Sequence, residues 1–317
     1  MRIASNLARQ ACSRLIPLFL IGLTTISVVR ADDWEVATYR GRPYLSLESI
    51  QKSYGFKTAK TLESTFELRG SGAVIKGEVD DKMLHINGLT YALSYAPTMI
   101  EKRPHISAFD VANLLDLILR PTEHIKPQPI KTVYVEAVED KWSTRPDAND
   151  ITLELQHALA GFGVTVELVP TNSGVISAEA NSGAGILWLR FQGNGKLSHY
   201  EYRCSVLAAP GSPERAMMAN SAEEVRHVYP GNRFAAESLA LATLIQSGLA
   251  FGPGAKNGNA IDAGIHQMPS HPFQSSTGAA VHVEWGEEVD PVHLLKSVAA
   301  GILRYSGFID GLIEGEN

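Results

Sequence analysis

From Lys131 onward the chain alternates short apolar runs with longer helical ones, and this alternation constrains the fold more than any other feature. Residues 132–137 form a continuous apolar-rich strand. Residues 148–162 place Leu153, Leu155, Leu159 and Phe162 at helical spacing, and Gly163 ends that run. Residues 164–169, 184–191 and 200–207 read as further strands, and residues 279–285 as a buried one. Residues 234–250 are the longest helix and residues 292–305 the closing one. Strands that are apolar on both faces need cover on both, which parallel sheets with crossover helices supply. The expected class is therefore α/β, a mainly parallel sheet flanked by helices. Residues 251–278, rich in Gly, Pro, Ser and Asn, read as a long surface loop.

The front of the chain follows a different grammar. Residues 34–39 read as a strand, Gly41-Arg42 as its turn, and residues 45–54 as an amphipathic helix. Strands are expected at 65–68, 73–78, 83–86 and 89–93, with Asn87-Gly88 as a two-residue hairpin turn. A helix over residues 105–119, carrying Val111, Leu114, Leu115, Leu117 and Ile118, completes a small α+β domain. Pro121, Pro127 and Pro129 mark residues 120–130 as a stiff, non-helical connector. The expected domains are residues 32–121 and 131–312, joined by a Pro-rich linker at 122–130.

The first 31 residues follow the plan of a cleaved signal peptide. Arg2, Arg9 and Arg14 precede an apolar stretch over residues 15–29, and Val29 and Ala31 suit cleavage after Ala31. That stretch, broken by Pro17 and Gly22, falls short of the roughly 20 residues that span a bilayer. A periplasmic or secreted location is expected, with no later transmembrane segment. The formal charge of −6 leaves no basic surplus for a nucleic-acid partner. Cys204 is the single cysteine after the leader, so no internal disulfide can form, and it reads as a small buried hydrophobe.

Specific segments of the second half resemble the zinc-dependent N-acetylmuramoyl-L-alanine amidases. Lys131-Thr132-Val133-Tyr134-Val135 looks like their first strand, and Val164-Thr165-Val166-Glu167-Leu168 after Gly163 is similar to their "L..G..V.LTR" segment. Residues 232–250, with Glu237-Ser238 and Leu241-Ala242, resemble a later helix, and Ala279-Ala280-Val281-His282-Val283-Glu284-Trp285-Gly286 resembles "PAVLVELGF". The front half resembles the copper-amine-oxidase N-terminal-like domain through Arg42-Pro43-Tyr44-Leu45-Ser46-Leu47 and Ile86-Asn87-Gly88. That likeness implies a wall-attachment or spacing element without copper.

The amidase resemblance implies a zinc ion held by a His in a GHGG turn, a Glu at the next helix start and a His in an SIHAN strand. A separate Glu would act as general base. Position by position, Glu139 falls at the first His, Thr144 or Arg145 at the Glu, and Arg190 at the second His. Glu284 alone is kept, at the general-base position. A guanidinium has no lone pair to donate to a metal. The expected site is therefore a relic, with Glu284 as former base and a pocket of Arg190, Glu139 and His282. In it Arg190 balances Glu139 and Glu284, and no metal ligand or cofactor remains. His199, His227, His266, His271 and His293 form no metal motif, and His157 reads as solvated. The implied function is that of an exported peptidoglycan protein, non-catalytic, binding murein or regulating an active wall hydrolase. The alternative is an active, zinc-loaded amidase cleaving the muramoyl–L-alanine bond.

Overall fold

Short hairpins build the front of the chain. In the computed structural model, which describes residues 34–125, 129–138, 148–170, 185–208, 229–252, 261–268 and 273–307, the described residues from Val36 onward form one compact unit. The signal segment, Glu139, Thr144, Arg145, His227 and His271 lie outside the described residues. Strands β1 (Val36–Tyr39), β2 (Arg42–Ser46), β9 (Arg103–Ser107) and β8 (Thr98–Ile100) form an antiparallel sheet in the order β1-β2-β9-β8. Helix α1 (Leu47–Tyr54) starts two residues later than expected because Ser46, still extended, caps it by accepting from Ser49 N. The predicted helix over 105–119 likewise starts at Ala108, since residues 103–107 belong to β9 and Ser107 is the cap.

A second, eleven-stranded sheet runs through the rest. Its order is β11-β10-β12-β15-β13-β14-β7-β6-β5-β4-β3. Strands β3 (Thr58–Leu62), β4 (Thr65–Arg69), β5 (Val74–Glu78), β6 (Met83–Ile86) and β7 (Leu89–Ala92) are an antiparallel meander. Asn87 and Gly88 both take positive φ in the β6–β7 turn, as the sequence predicts. Next come β10 (Thr132–Val138), β11 (Thr165–Leu168), β12 (Ile186–Gly193), β13 (Glu201–Leu207), β14 (Ile261–Met268) and β15 (Ala279–Trp285).

The sheet is mixed, which corrects the expectation of a mainly parallel one. β11, β10, β12 and β15 are mutually parallel, whereas β13 runs antiparallel to β15. The cause is the link over residues 194–200, which is too short for the crossover that a parallel return from β12 requires. The chain instead arches over the end of β15 and comes back down as β13. Gly286 lies beneath this arch, where an added Cβ would run into Ser198 O.

Two further expectations are corrected. Pro121–His124, placed in a non-helical connector, forms a helical turn, with Pro121 at the position where its missing N–H costs nothing. Ile261–Met268, placed in a surface loop, is β14, an interior strand that pairs with β13 and touches β7 through Ile265 and Tyr91. Asp262 fastens this junction: its Oδ2 accepts from Thr90 N at 2.8 Å, while Oδ1 accepts from Gly264 N at 2.7 Å and Gln246 Nε2 at 2.6 Å.

Three long helices, α2 (Ala148–Leu159), α3 (Ala235–Phe251) and α4 (Pro291–Tyr305), form one layer, with α4 packed against both others. Gly248 meets Ser297 and Gly301 meets Ile245 where α3 and α4 approach closely. Of the residues predicted for the apolar side of α2, Leu155 and Leu159 are buried and Leu153 and Phe162 are exposed; Ile151 joins the buried side. The stretch Gly231–Phe251 is long and apolar enough to cross a membrane, with a mean hydropathy of 1.4, which corrects the expectation of no such later segment. In this structure its Leu239, Leu241, Ala242, Ile245 and Leu249 are buried, and so is its polar Gln246.

Candidate functional site

Strand alternation divides the sheet chemically. Val133, Val135, Ala137, Leu187, Leu189, Phe191, Val281 and Val283 are buried on one face, which hydrophobic burial assigns to the helix layer. The opposite face carries polar rows set by register. In one row Glu136 lies beside Arg190, Arg190 beside His282, His282 beside Ser205, and Ser205 beside His266. In the next, Gln192 lies beside Glu284 and Glu284 beside Arg203. The row before them is apolar: Tyr134 stacks on Trp188 with ring centroids 4.5 Å apart, and Trp188 packs with Ile186, Ala280 and Phe273.

Glu284 is the most constrained group on this face. Arg203 donates to both its oxygens, Nε to Oε2 at 2.8 Å and NH2 to Oε1 at 2.7 Å. Asn194 Nδ2 adds a bond to Oε1 at 2.6 Å and Ser205 Oγ one to Oε2 at 3.3 Å. Burial by itself raises the pKa of a carboxyl, but the Arg203 hydrogen bonds and the neighbouring charges hold Glu284 below the ordinary carboxylate value. Bidentate guanidinium–carboxylate pairs of this kind fix geometry as well as charge.

Arg190 and His282 lie side by side on this same face, in the row next to Glu284. Arg190 was expected to balance Glu139, which lies outside the described residues, and Glu284; its NH1 donates to Glu136 Oε2 at 3.1 Å, and it is Arg203 that serves Glu284. Burial lowers His282 to about 4, with Glu284 raising it and Arg190 and Arg203 lowering it, so the imidazole is neutral at pH 7. His266 is also lowered, mainly by burial, and its Nε2–H donates to Ala263 O at 2.8 Å. His199 pairs with Glu287 in solvent at 3.3 Å, His293 faces Leu249 O, and His157 is exposed. Cys204 points to the opposite face from Arg203, and burial pushes its thiol pKa up, so it stays an unreactive thiol.

Glu136, Arg203 and Asn194 are the functional-face residues that sequence reasoning passed over. Glu136 and Arg203 carried the same signal as Glu284, a charge inside an apolar strand.

A catalytic zinc site needs three lone-pair donors and an open position. Among the described residues no group of three His, Cys, Asp or Glu side chains could hold a metal. The face that carries Glu284 holds two guanidiniums instead, and both Glu284 oxygens already accept hydrogen bonds. These residues do not fit a zinc ion.

No protein-family model and no curated protein matches the chain. Two solved structures are similar to part of it. The N-acetylmuramyl-L-alanine amidase Ami1 from Mycobacterium smegmatis has a TM-score of 0.36 and 13% identity, covering 58% of this chain and 100% of its own. The N-acetylmuramoyl-L-alanine amidase AmiC2 of Nostoc punctiforme has a TM-score of 0.35 and 13% identity, covering 56% and 98%. Overlap at that level fixes neither a shared fold nor a shared activity.

Proposed function

We propose that this chain is an exported, cell-wall protein on the amidase plan that binds murein, or regulates an enzyme that cuts it, without hydrolysing the wall itself. The carrying observation is the locking of Glu284: at the position that the resemblance gives to the general base, both carboxylate oxygens are held by Arg203. A base must be free to reach the proton it abstracts. The pairing of Arg190 with Glu136, at the position the resemblance gives to a metal-binding His, supports the same reading. Export rests on the leader plan and cleavage after Ala31, and the front residues 32–121 serve as a spacing or attachment element.

The test combines three measurements on the purified mature chain: zinc content, turnover of purified murein, and co-sedimentation with insoluble sacculi. Sedimentation without turnover or stoichiometric zinc is expected. Tightly bound zinc together with release of stem peptides would make the chain a working amidase, and absence of any sedimentation would remove murein as the ligand. Sequencing the exported protein from its N-terminus should begin at Asp32.

A further inference from the structure

The arch over β15 leaves a pocket beside it that the locked Glu284 does not explain. It lies outside the carboxyl ends of the adjacent parallel strands β12 and β15, the place where open α/β sheets bind ligands. Its volume is about 560 Å³, within the range of small-molecule sites. Gln192, Asn194, Lys196, Leu197, His199 and Glu287 line it.

The floor of the pocket is fixed. Asn194 Nδ2 donates to Glu284 Oε1, its Oδ1 accepts from Lys196 N at 3.0 Å, and its backbone carbonyl accepts from Leu197 N. Glu288 N donates to His199 O and Gly286 N to Glu201 O, tying the arch to the turn after β15. Asn194 is therefore spent on structure and is a positioning residue. Two other groups are not committed: among the described residues the Lys196 ammonium meets no acid, and the half-buried Gln192 amide makes no hydrogen bond. At the far side Glu287 offers a carboxylate, shared with His199 at 3.3 Å.

We infer that this pocket binds a short peptide bearing a free carboxylate and a free amine, with the carboxylate on Lys196, a peptide amide on Gln192 and the amine on Glu287. A side-chain amide presents one donor and one acceptor, the complement of a peptide bond. Glu287 opposes a phosphate dianion but suits an ammonium, so the set favours a zwitterion over a simple anion. The choice of a wall-type peptide rests on the murein reading, whereas the pocket itself does not.

The experiment is calorimetric titration of the full mature chain with the tripeptide L-Ala-D-isoglutaminyl-L-Lys, whose only carboxylate is the terminal one, its C-terminal amide and inorganic phosphate, alongside sedimentation with sacculi. Binding of the free tripeptide is expected, weakened about tenfold or more by amidation and by Lys196→Ala, as loss of a charge-assisted contact implies. Gln192→Ala should weaken it several-fold, and both variants are to be checked for an unchanged melting temperature. Equal binding of phosphate, or tripeptide binding indifferent to Lys196→Ala, would overturn the inference. Sacculi bound without tripeptide binding would overturn it and leave the murein reading standing; failure of both would remove the two together.

Discussion

Arg203 and Glu284 face one another across the antiparallel step between β15 and β13, joined by two hydrogen bonds of 2.7 and 2.8 Å. The pair exists because the short arch turns the chain back and brings an arginine opposite a strand carboxylate that burial would otherwise penalise.

Removing the arginine alone should therefore be costly. Arg203→Met is expected to lower stability by about 3–5 kcal/mol, the usual cost of orphaning one half of a buried pair. The double variant Arg203→Met/Glu284→Leu should recover most of that. Because Glu284 is held low in the native protein, its contribution is present above the ordinary carboxylate pKa and lost as the pH falls below it. In Arg203→Met the sign reverses, so urea unfolding should show a larger deficit at pH 7 than at pH 4.

Two buried groups should pull the pH profile in opposite directions. His282, lowered by burial to about 4, favours the native state at neutral pH and withdraws that support as the pH drops from the ordinary imidazole value. Asp110 is raised by burial to about 6, although Ser107, Ser94 N and Tyr95 N all donate to it. It therefore costs stability at neutral pH and releases that cost on acidification. Each effect is about 3 kcal/mol at one pKa unit per 1.36 kcal/mol, so they nearly cancel. His266 adds modestly to the His282 side. Stability of the wild type should be nearly flat between pH 4 and 6, Asp110→Asn should fall towards acid, and His282→Gln should rise. A flat Asp110→Asn profile would sink this account.

Gly286→Ala should cost about 1–3 kcal/mol, as overpacking does elsewhere, since its methyl group meets the Ser198 carbonyl under the arch. The loss should be accompanied by weaker ligand binding at the pocket, because the arch must lift to make room. Thermal melts of this variant and of Gly161→Ala, which has open space around it, make the comparison.

Asp262→Ala removes three hydrogen bonds at 2.6–2.8 Å and leaves Gln246 buried without its partner. A loss of roughly 3 kcal/mol follows from the net worth of such bonds. The β3–β7 meander should then unfold ahead of the rest, seen as a smaller urea m-value or as two transitions instead of one.

Much of this architecture can be read from local pattern. Residues 279–285 and 83–86 were bounded correctly because their apolar alternation is uninterrupted, and Asn87-Gly88 because few other pairs tolerate two positive φ values. β14 was invisible because Asp262, His266 and Gln267 give it the composition of a loop; beyond local bonds to Gly264 and Ala263, Asp262 and Gln267 are satisfied by residues distant in sequence, Thr90, Gln246 and Asn113. The site follows the same division. Glu284 stands out as a carboxylate in an apolar strand, yet its partner cannot be found without knowing that β13 returns beside β15. Arg190 stands out as a charge inside an apolar strand, but the neighbour that strand register sets beside it, Glu136, is legible only once β10 and β12 are known to pair; Glu139, the partner expected from the sequence, lies outside the described residues.

The junction at Asp262 also bears on how the molecule would carry load. A pull on the leading hairpins would pass through β7 into β14 and then sideways across β13 and β15, along a ladder of peptide hydrogen bonds. Force applied to the front would thus arrive at the strands flanking the arch, and strain there would be felt at the mouth of the peptide pocket.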